Sequence, residues 1–546
     1  MSVGLTLFVF FAYAVVQRFR FPVELEWMSG GVFDHVERIR NGQPIYAPPS
    51  AEFIAFLYPP LYLWASAFVA RFSSLFVATH LVSLAATACT AACSYRIARR
   101  VGATRYWSIV AVFLFFAAYS FTGFWYDLER ADSLLMGMLT LGTVAALESE
   151  GAVGALVAGA LIGGAFFAKQ PASVFFVAGL VGFGLARRFR RAAFFALGGA
   201  LAVVPLLVFL HVSTGGWFEY YCLKVPSSHG IEPKLFTIFF VMDLSRGFAL
   251  TGATVVTLVA FARAAYGSFR GRPIDEKAAL FGALLSAAFF TTATSRLHMG
   301  GWFNVLMFWS TFACIAFAVA ASRLEARAAD TPMAGSVSAM VLGAALLQLG
   351  VFAWDPGEPC PNSGRERDAG IVAARIAELE KGGDVVVPGR GHLTKNRHFH
   401  AMALMDVLRA GQPLPKDLVD GLEQRRYAAY VVDEFGELTI EALLGHRSEL
   451  FDLVTRNYFI AQRLDDREPP PVVGWMAHPS WVFRPRTVPL VGYTFEMLER
   501  RKQIEMGLAE ARMRQVQAGV LTVDDGAEIE SLAAAIDARA PLAGRP

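Results

Sequence analysis

Apolar runs of membrane-spanning length, each closed by charge, recur along residues 77–97, 106–126, 132–147, 152–168, 172–186, 192–211, 236–262, 278–295, 303–322 and 332–353. A chain patterned this way folds as a polytopic α-helical membrane protein. Composition agrees: 55% of the 546 residues are hydrophobic, and the mean hydropathy is +0.44. A soluble enzyme is excluded. The formal charge of +3 is too small to imply a nucleic-acid partner, so no nucleic acid is expected. The Leu5–Val16 run adds a first span, short against the usual ~20 residues. It lacks a basic leader and is followed by Gln17-Arg18-Phe19-Arg20 rather than small residues, so it does not read as a signal peptide. Arg18 and Arg20 are expected to snorkel at its outer end.

Four basic clusters separate the spans: Arg96, Arg99, Arg100 and Arg105; Arg187, Arg188, Arg190 and Arg191; Arg263, Arg270, Arg272 and Lys277; and Arg323 with Arg327. Positive-inside logic puts all four in the cytoplasm, and an even number of crossings separates each neighbouring pair. One segment decides the total. Residues 58–75, opening with Tyr58-Pro59-Pro60-Leu61, are apolar enough to cross, yet counting them would send the first cluster outside. The double proline, belt-type aromatics and Arg71 suit an interfacial helix. The expectation is eleven spans with a cytoplasmic N-terminus, or twelve if 58–75 crosses.

From Trp354 onward the chain turns polar and proline-punctuated. Residues 384–387 and 427–432 read as buried strands, and 366–381, 398–410 and 415–424 have helical periodicity. The expected organisation is a transmembrane domain over 1–353, with 17–75 as its first outer loop. A small extracytoplasmic α/β domain over 354–493 and a helical, partly mobile tail over 494–546 follow. The five cysteines have no zinc-type spacing, and Cys222 with Cys360 leave one disulfide open.

The parity count sends nearly all the remaining charge at span ends to the outer face. The first loop carries Glu24, Glu26, Asp34, His35 and Glu37. The next carries Asp127, Glu129, Arg130 and Asp132, and later turns carry Lys169-Gln170 and Arg296-Leu297-His298. An ionisable group kept at the membrane costs about 2.5–3.5 kcal/mol on insertion scales, so each is a functional hypothesis. Each also has a plain reading. Glu24 and Glu26 read as solvated loop acids, Arg130 with Asp132 as a helix-end ion pair, Lys169 as a snorkelling side chain, and His298 as a satisfied interfacial histidine.

In order and sidedness these residues resemble the GT-C class of multi-spanning glycosyltransferases, such as the family 39-like protein O-mannosyltransferases and the lipid A aminoarabinose transferases. An acidic Glu24-Leu25-Glu26 follows the first span, with a stretch ending Asn41-Gly42-Gln43-Pro44-Ile45-Tyr46. Tyr58-Pro59-Pro60-Leu61 opens an interfacial helix, Arg130-Ala131-Asp132 opens a span, and Ala168-Lys169-Gln170 ends one. The likeness covers residues 1–325. Members carry Asp-Glu or Asp-Asp where this chain has glutamates, and some have an acid where Leu57 stands.

The resemblance implies a sugar taken from a polyprenyl-phosphate donor and placed on a lipid, glycan or protein acceptor at the extracytoplasmic face. Glu26 is then the base that deprotonates an acceptor hydroxyl, with Glu24 as its substitute or orienting partner. Arg130 and Lys169, assisted by Arg296 and His298, hold the donor phosphate. Asp132 fixes Arg130, and Asp127 and Tyr58 support the site. No compact Asp-x-Asp set stands out, so no divalent metal is expected to be obligatory. The composition suggests a bacterial inner membrane. A flippase of lipid-linked sugars would want charges near the bilayer midplane and broken helices in repeated halves, whereas here they fall at span ends. A non-catalytic envelope scaffold is the other alternative.

Overall fold

The computed structural model describes residues 1–21, 23–298, 300–433, 449–464, 471–521 and 526–539. From the amino end the chain forms α1 (Ser2–Phe19), α2 (Ser29–Arg40), α3 (Leu61–Val69), α4 (Leu75–Val101), α5 (Arg105–Ala117), α6 (Ala131–Glu148), α7 (Ala152–Gly164), α8 (Ala172–Leu185) and α9 (Phe189–Thr214). Four further long apolar helices follow at Phe248–Phe269, Glu276–Leu297, Leu306–Ala328 and Ala334–Val351. Among the described residues, eight helices are long and apolar enough to cross a membrane, and three shorter apolar ones lie at Arg105–Ala117, Ala152–Phe167 and Ala172–Leu185. The chain is mostly helical. It packs as two compact units, one of Met1–Arg20 with Tyr58–Cys360, the other of Phe21–Leu57 with Pro361–Pro546. The acidic first loop therefore groups with the C-terminal part, unlike the division at residue 353 drawn from the sequence.

In the first unit, side chains and glycines fix the helix ends. Ser74 Oγ accepts from Val77 N at the start of α4, and Thr104 Oγ1 accepts from Trp107 N at the start of α5. Gly102 sits at φ +108° between them, a left-handed position that reverses the chain without a Cβ penalty. Helices α7 and α9 approach closely. A Cβ on Gly159 would stand 1.9 Å from Phe195 O, and one on Gly198 2.0 Å from Leu156 O, the small-residue contact by which helices pack when lipid supplies no hydrophobic drive. Helix α3 has nine residues. At 1.5 Å per residue it rises roughly 14 Å, under half of a ~30 Å hydrocarbon layer.

Two expected spans start or stop elsewhere. The 106–126 run is helical only to Ala117. Beyond it the chain turns through Gly123 at φ +69° and Phe124 at φ +62°. The strained Phe124 is held by its N–H on Tyr119 O at 2.8 Å and by Arg18 Nη1 on its carbonyl at 2.9 Å. The 236–262 run yields its long helix only from Phe248, because the Asp243–Gly247 stretch breaks the pattern. The five cysteines are free thiols, so Cys222 and Cys360 form no disulfide.

The second unit holds a four-stranded sheet of β1 (Val385–Val386), β2 (Ala429–Asp433), β3 (Tyr458–Arg463) and β4 (Pro479–Pro485), in the order β1-β2-β4-β3. The first pair is parallel and the other two are antiparallel. Val372, Ile376 and Leu379 of the helix Ser363–Leu379 pack with Val385, Val387, Ala429, Val431 and Val482. Helices Ala401–Arg409 and Lys416–Glu423 occupy the periodic stretches. The helix Phe495–Gln517 carries a buried ion network. Glu505 is 2.8 Å from both Arg486 and Arg501, and its carboxylate also accepts from Ile460 N of β3 at 3.1 Å. A half-satisfied network of this kind would be costly, so these bonds fix the helix on the sheet.

Candidate active site

In the first unit, hydroxyls on α4 shape the loop that leads into α6. Ser83 Oγ donates to Leu128 O at 2.6 Å and Thr87 Oγ1 to Tyr126 O at 2.6 Å, while Ser133 Oγ donates to Tyr126 O at 2.7 Å. The loop thus delivers Arg130 as the residue capping α6 and Asp132 into its first turn, where the helix dipole favours an acid. Lys169 arrives from the turn between α7 and α8, and the neighbouring Gln170 Nε2 ties that turn to Cys222 O at 2.9 Å.

These side chains meet. Lys169 Nζ donates to Asp132 Oδ1 at 2.6 Å, and Asn304 Nδ2 donates to the same oxygen at 2.9 Å. Arg130 Nη2 donates to the Tyr58 hydroxyl at 3.0 Å. Both cations stand over the Tyr58 ring, Arg130 at 5.3 Å and Lys169 at 5.6 Å from its centroid. Asp132 anchors Lys169, and Tyr58 takes Arg130. Asn304 lies in a loop that the sequence marks as polar without giving it a role. Two cations against one carboxylate leave a net positive charge, the electrostatics that attracts a phosphate.

Other residues do different work. Asp127 is held in a buried ion pair. Its Oδ1 is 2.7 Å from Arg18 Nη1 and 2.6 Å from the Tyr119 hydroxyl, with both charged side chains fully buried. Arg18 consequently does not snorkel. Glu129 is buried 3.4 Å from His80. Arg296 pairs with Asp243 at 2.8 Å, donates to Gly301 O at 2.6 Å and stacks over Phe303 at 4.7 Å, next in the chain to Asn304. The contacts described for His298 run to a β-bridge with Ile231 and to the His229 ring at 5.0 Å. Among the described residues, no group of three His, Cys, Asp or Glu side chains is arranged to hold a metal.

In the second unit the acidic segment is buried, not solvated: Glu24 is 2% and Glu26 4% exposed. Glu24 Oε1 stands 3.3 Å from Arg390 Nε and 3.2 Å from His392 Nε2, contacts of charge without hydrogen-bond geometry. Glu26 Oε2 accepts from Met28 N at 3.1 Å, just ahead of α2. Asp34 meets Arg397 Nη1 at 2.7 Å, and Arg397 also binds Glu37. Burial pushes the Asp34 carboxyl up to about 7, against the pull of Arg397. His35 is lowered to about 4 by burial. It donates from Nδ1 to Gly31 O and accepts from Phe56 N, so it serves as a neutral strut.

Sequence reasoning missed Arg390, His392 and Arg397. Their signal was the Gly389-Arg390-Gly391-His392 run. Gly389 adopts φ +77°, and a Cβ on Gly391 would lie 2.6 Å from Asp34 Oδ1. Only glycine permits so close an approach.

The family model for glycosyltransferase family 87 matches residues 56–295. No curated protein matches the chain. Among solved structures, ArnT from Cupriavidus metallidurans is similar both in its apo state and bound to undecaprenyl phosphate. Each covers 88% of this chain and 96% of that one, at 12% identity and a TM-score of 0.52. The family match spans Tyr58, Arg130, Asp132 and Lys169, and the chain shares its fold with ArnT.

Proposed function

We propose that the protein transfers a hexose or pentose from a polyprenyl-phosphate donor to a lipid, glycan or protein acceptor at the extracytoplasmic face of the plasma membrane. The observation that carries this reading is the Arg130 and Lys169 pair over Tyr58, anchored through Asp132 and Asn304. Undecaprenyl phosphate in the ArnT complex supports a lipid phosphate as the ligand. The donor's phosphate bears the charge that develops as the anomeric C–O bond breaks, and fixed cations stabilise it at that moment. Glu26 removes the proton from the attacking hydroxyl, since an alcohol is a poor nucleophile. A single displacement inverts the anomeric carbon.

Glu24, flanked by Arg390 and His392, serves as the orienting partner. Arg296 supports the phosphate side through Phe303, with His298 as a further contact to the donor. The arginine and lysine supply the charge stabilisation, so no divalent metal is obligatory.

The test is incubation of the full-length protein, in membranes of the producing cells, with polyprenyl-phosphate sugars labelled in those cells. Label leaving the lipid fraction for an acceptor is the expected result. Label that crosses the bilayer without transfer would replace the enzyme by a flippase, and neither outcome would leave a scaffold.

A further inference from the structure

The acidic segment is gripped along its length by the C-terminal half of its own unit. Glu24 Oε1 lies between Arg390 and His392. Leu25 O accepts from Val472 N at 2.8 Å and Val473 N at 3.1 Å. Trp27 O takes His400 Nε2 at 3.2 Å and Arg390 Nη1 at 3.5 Å, while Trp27 Nε1 donates to Asp433 at 2.8 Å. Arg390 is 2% exposed and spends Nη2 on Ala477 O at 3.2 Å, so its side chain is itself fixed. The backbone fits as closely: a Cβ on Gly30 would fall 2.0 Å from Gly389 O. Grips on residues 24, 25 and 27 constrain the residue between them.

We propose that Arg390 and His392 are positioning residues for the transfer reaction. They clamp Glu24 and, with the Trp27 carbonyl, set the placement of Glu26, so the C-terminal part is a working portion of the catalytic apparatus. The proposal rests on the reading of Glu26 as base. A carboxylate must sit within about 0.5 Å of its productive position, and misplacement by ~1 Å can cost on the order of 100-fold in rate. Binding of the donor is not assigned to these residues, so its KM should not follow.

The test uses the full-length protein in membranes, with polyprenyl-phosphate sugars labelled in the producing cells, and compares Arg390→Met, Arg390→Lys, His392→Gln and Glu26→Gln. Arg390→Met should lower kcat by roughly 10- to 100-fold with donor KM within about twofold. Arg390→Lys should restore part of the rate. Hydrogen exchange at the amides of residues 24–29 should quicken in Arg390→Met and, less, in His392→Gln. Wild-type kcat and exchange in a folded Arg390→Met or His392→Gln protein would overturn the proposal. If Arg390→Met does not accumulate, kcat, donor KM and exchange in Arg390→Lys and His392→Gln decide the matter. Full transfer by Glu26→Gln would defeat the base assignment and this inference with it. A dead Glu26→Gln beside an unaltered Arg390→Met defeats the inference alone.

Discussion

Removing Asp127 should unfold the membrane unit before it touches chemistry. Arg18 and Asp127 are both fully buried and 2.7 Å apart. Truncating one partner of such a pair strands the other charge, which typically costs about 3–5 kcal/mol. Several details set the figure within that range. Arg18 would keep two carbonyl partners, Pro359 O at 2.8 Å and Phe124 O at 2.9 Å, and its Nη2 is already without a hydrogen bond. Tyr119 would lose the acceptor for its hydroxyl, for about 1 kcal/mol more. Asp127→Ala should therefore lower stability by about 3–4 kcal/mol. Replacing both charges, as Arg18→Met with Asp127→Leu, should recover more than half of that loss, because no buried charge remains unpaired. The assay is denaturation of the purified protein in detergent, read beside transfer in membranes. A stable Asp127→Ala protein that folds normally yet fails in the chemical step would refute the reasoning and return Asp127 to the site.

Other substitutions separate the remaining roles. Glu26→Gln should insert and fold normally while transfer falls by about 10²- to 10⁴-fold, the usual worth of a general base; labelled-sugar transfer measures it. Lys169→Glu should reduce kcat/KM on the order of 10²- to 10³-fold with a raised donor requirement, and an unchanged response to donor concentration would deny it phosphate contact. Transfer should persist when divalent cations are chelated; loss of activity restored by one added metal would show the opposite. Asp34 gives a pH signature. Its folded carboxyl is raised to about 7, so between about 4 and 7 the folded state holds a proton that the unfolded state has lost, and wild-type stability declines as pH rises through that window. Asp34→Asn should flatten that decline, which unfolding measured from about pH 4.5 to 7.5 will report.

Helix content, membrane-spanning character and charge at the span ends were legible because hydrophobic length and arginine bias are local properties of the chain. Arg130, Asp132 and Lys169 could be named for the same reason: charge at the end of an apolar run is conspicuous. The pairing was not legible. Asp132 binds Lys169 and Asn304, and Arg130 reaches Tyr58, contacts set by helix rotation and by the hydroxyls of α4. Arg18 looked like a snorkelling end because nothing local tells a buried ion pair from an exposed charge. The strongest departure concerns Glu24 and Glu26. Their order along the chain placed them in a membrane domain's first loop, but the tertiary structure sets them among residues of the C-terminal part, through Arg390 and His392. Sequence alone determined that this is a helical membrane protein with ionic groups at its span ends. Only packing, which brings residues far apart in the chain into contact, decided which partner each of those groups takes.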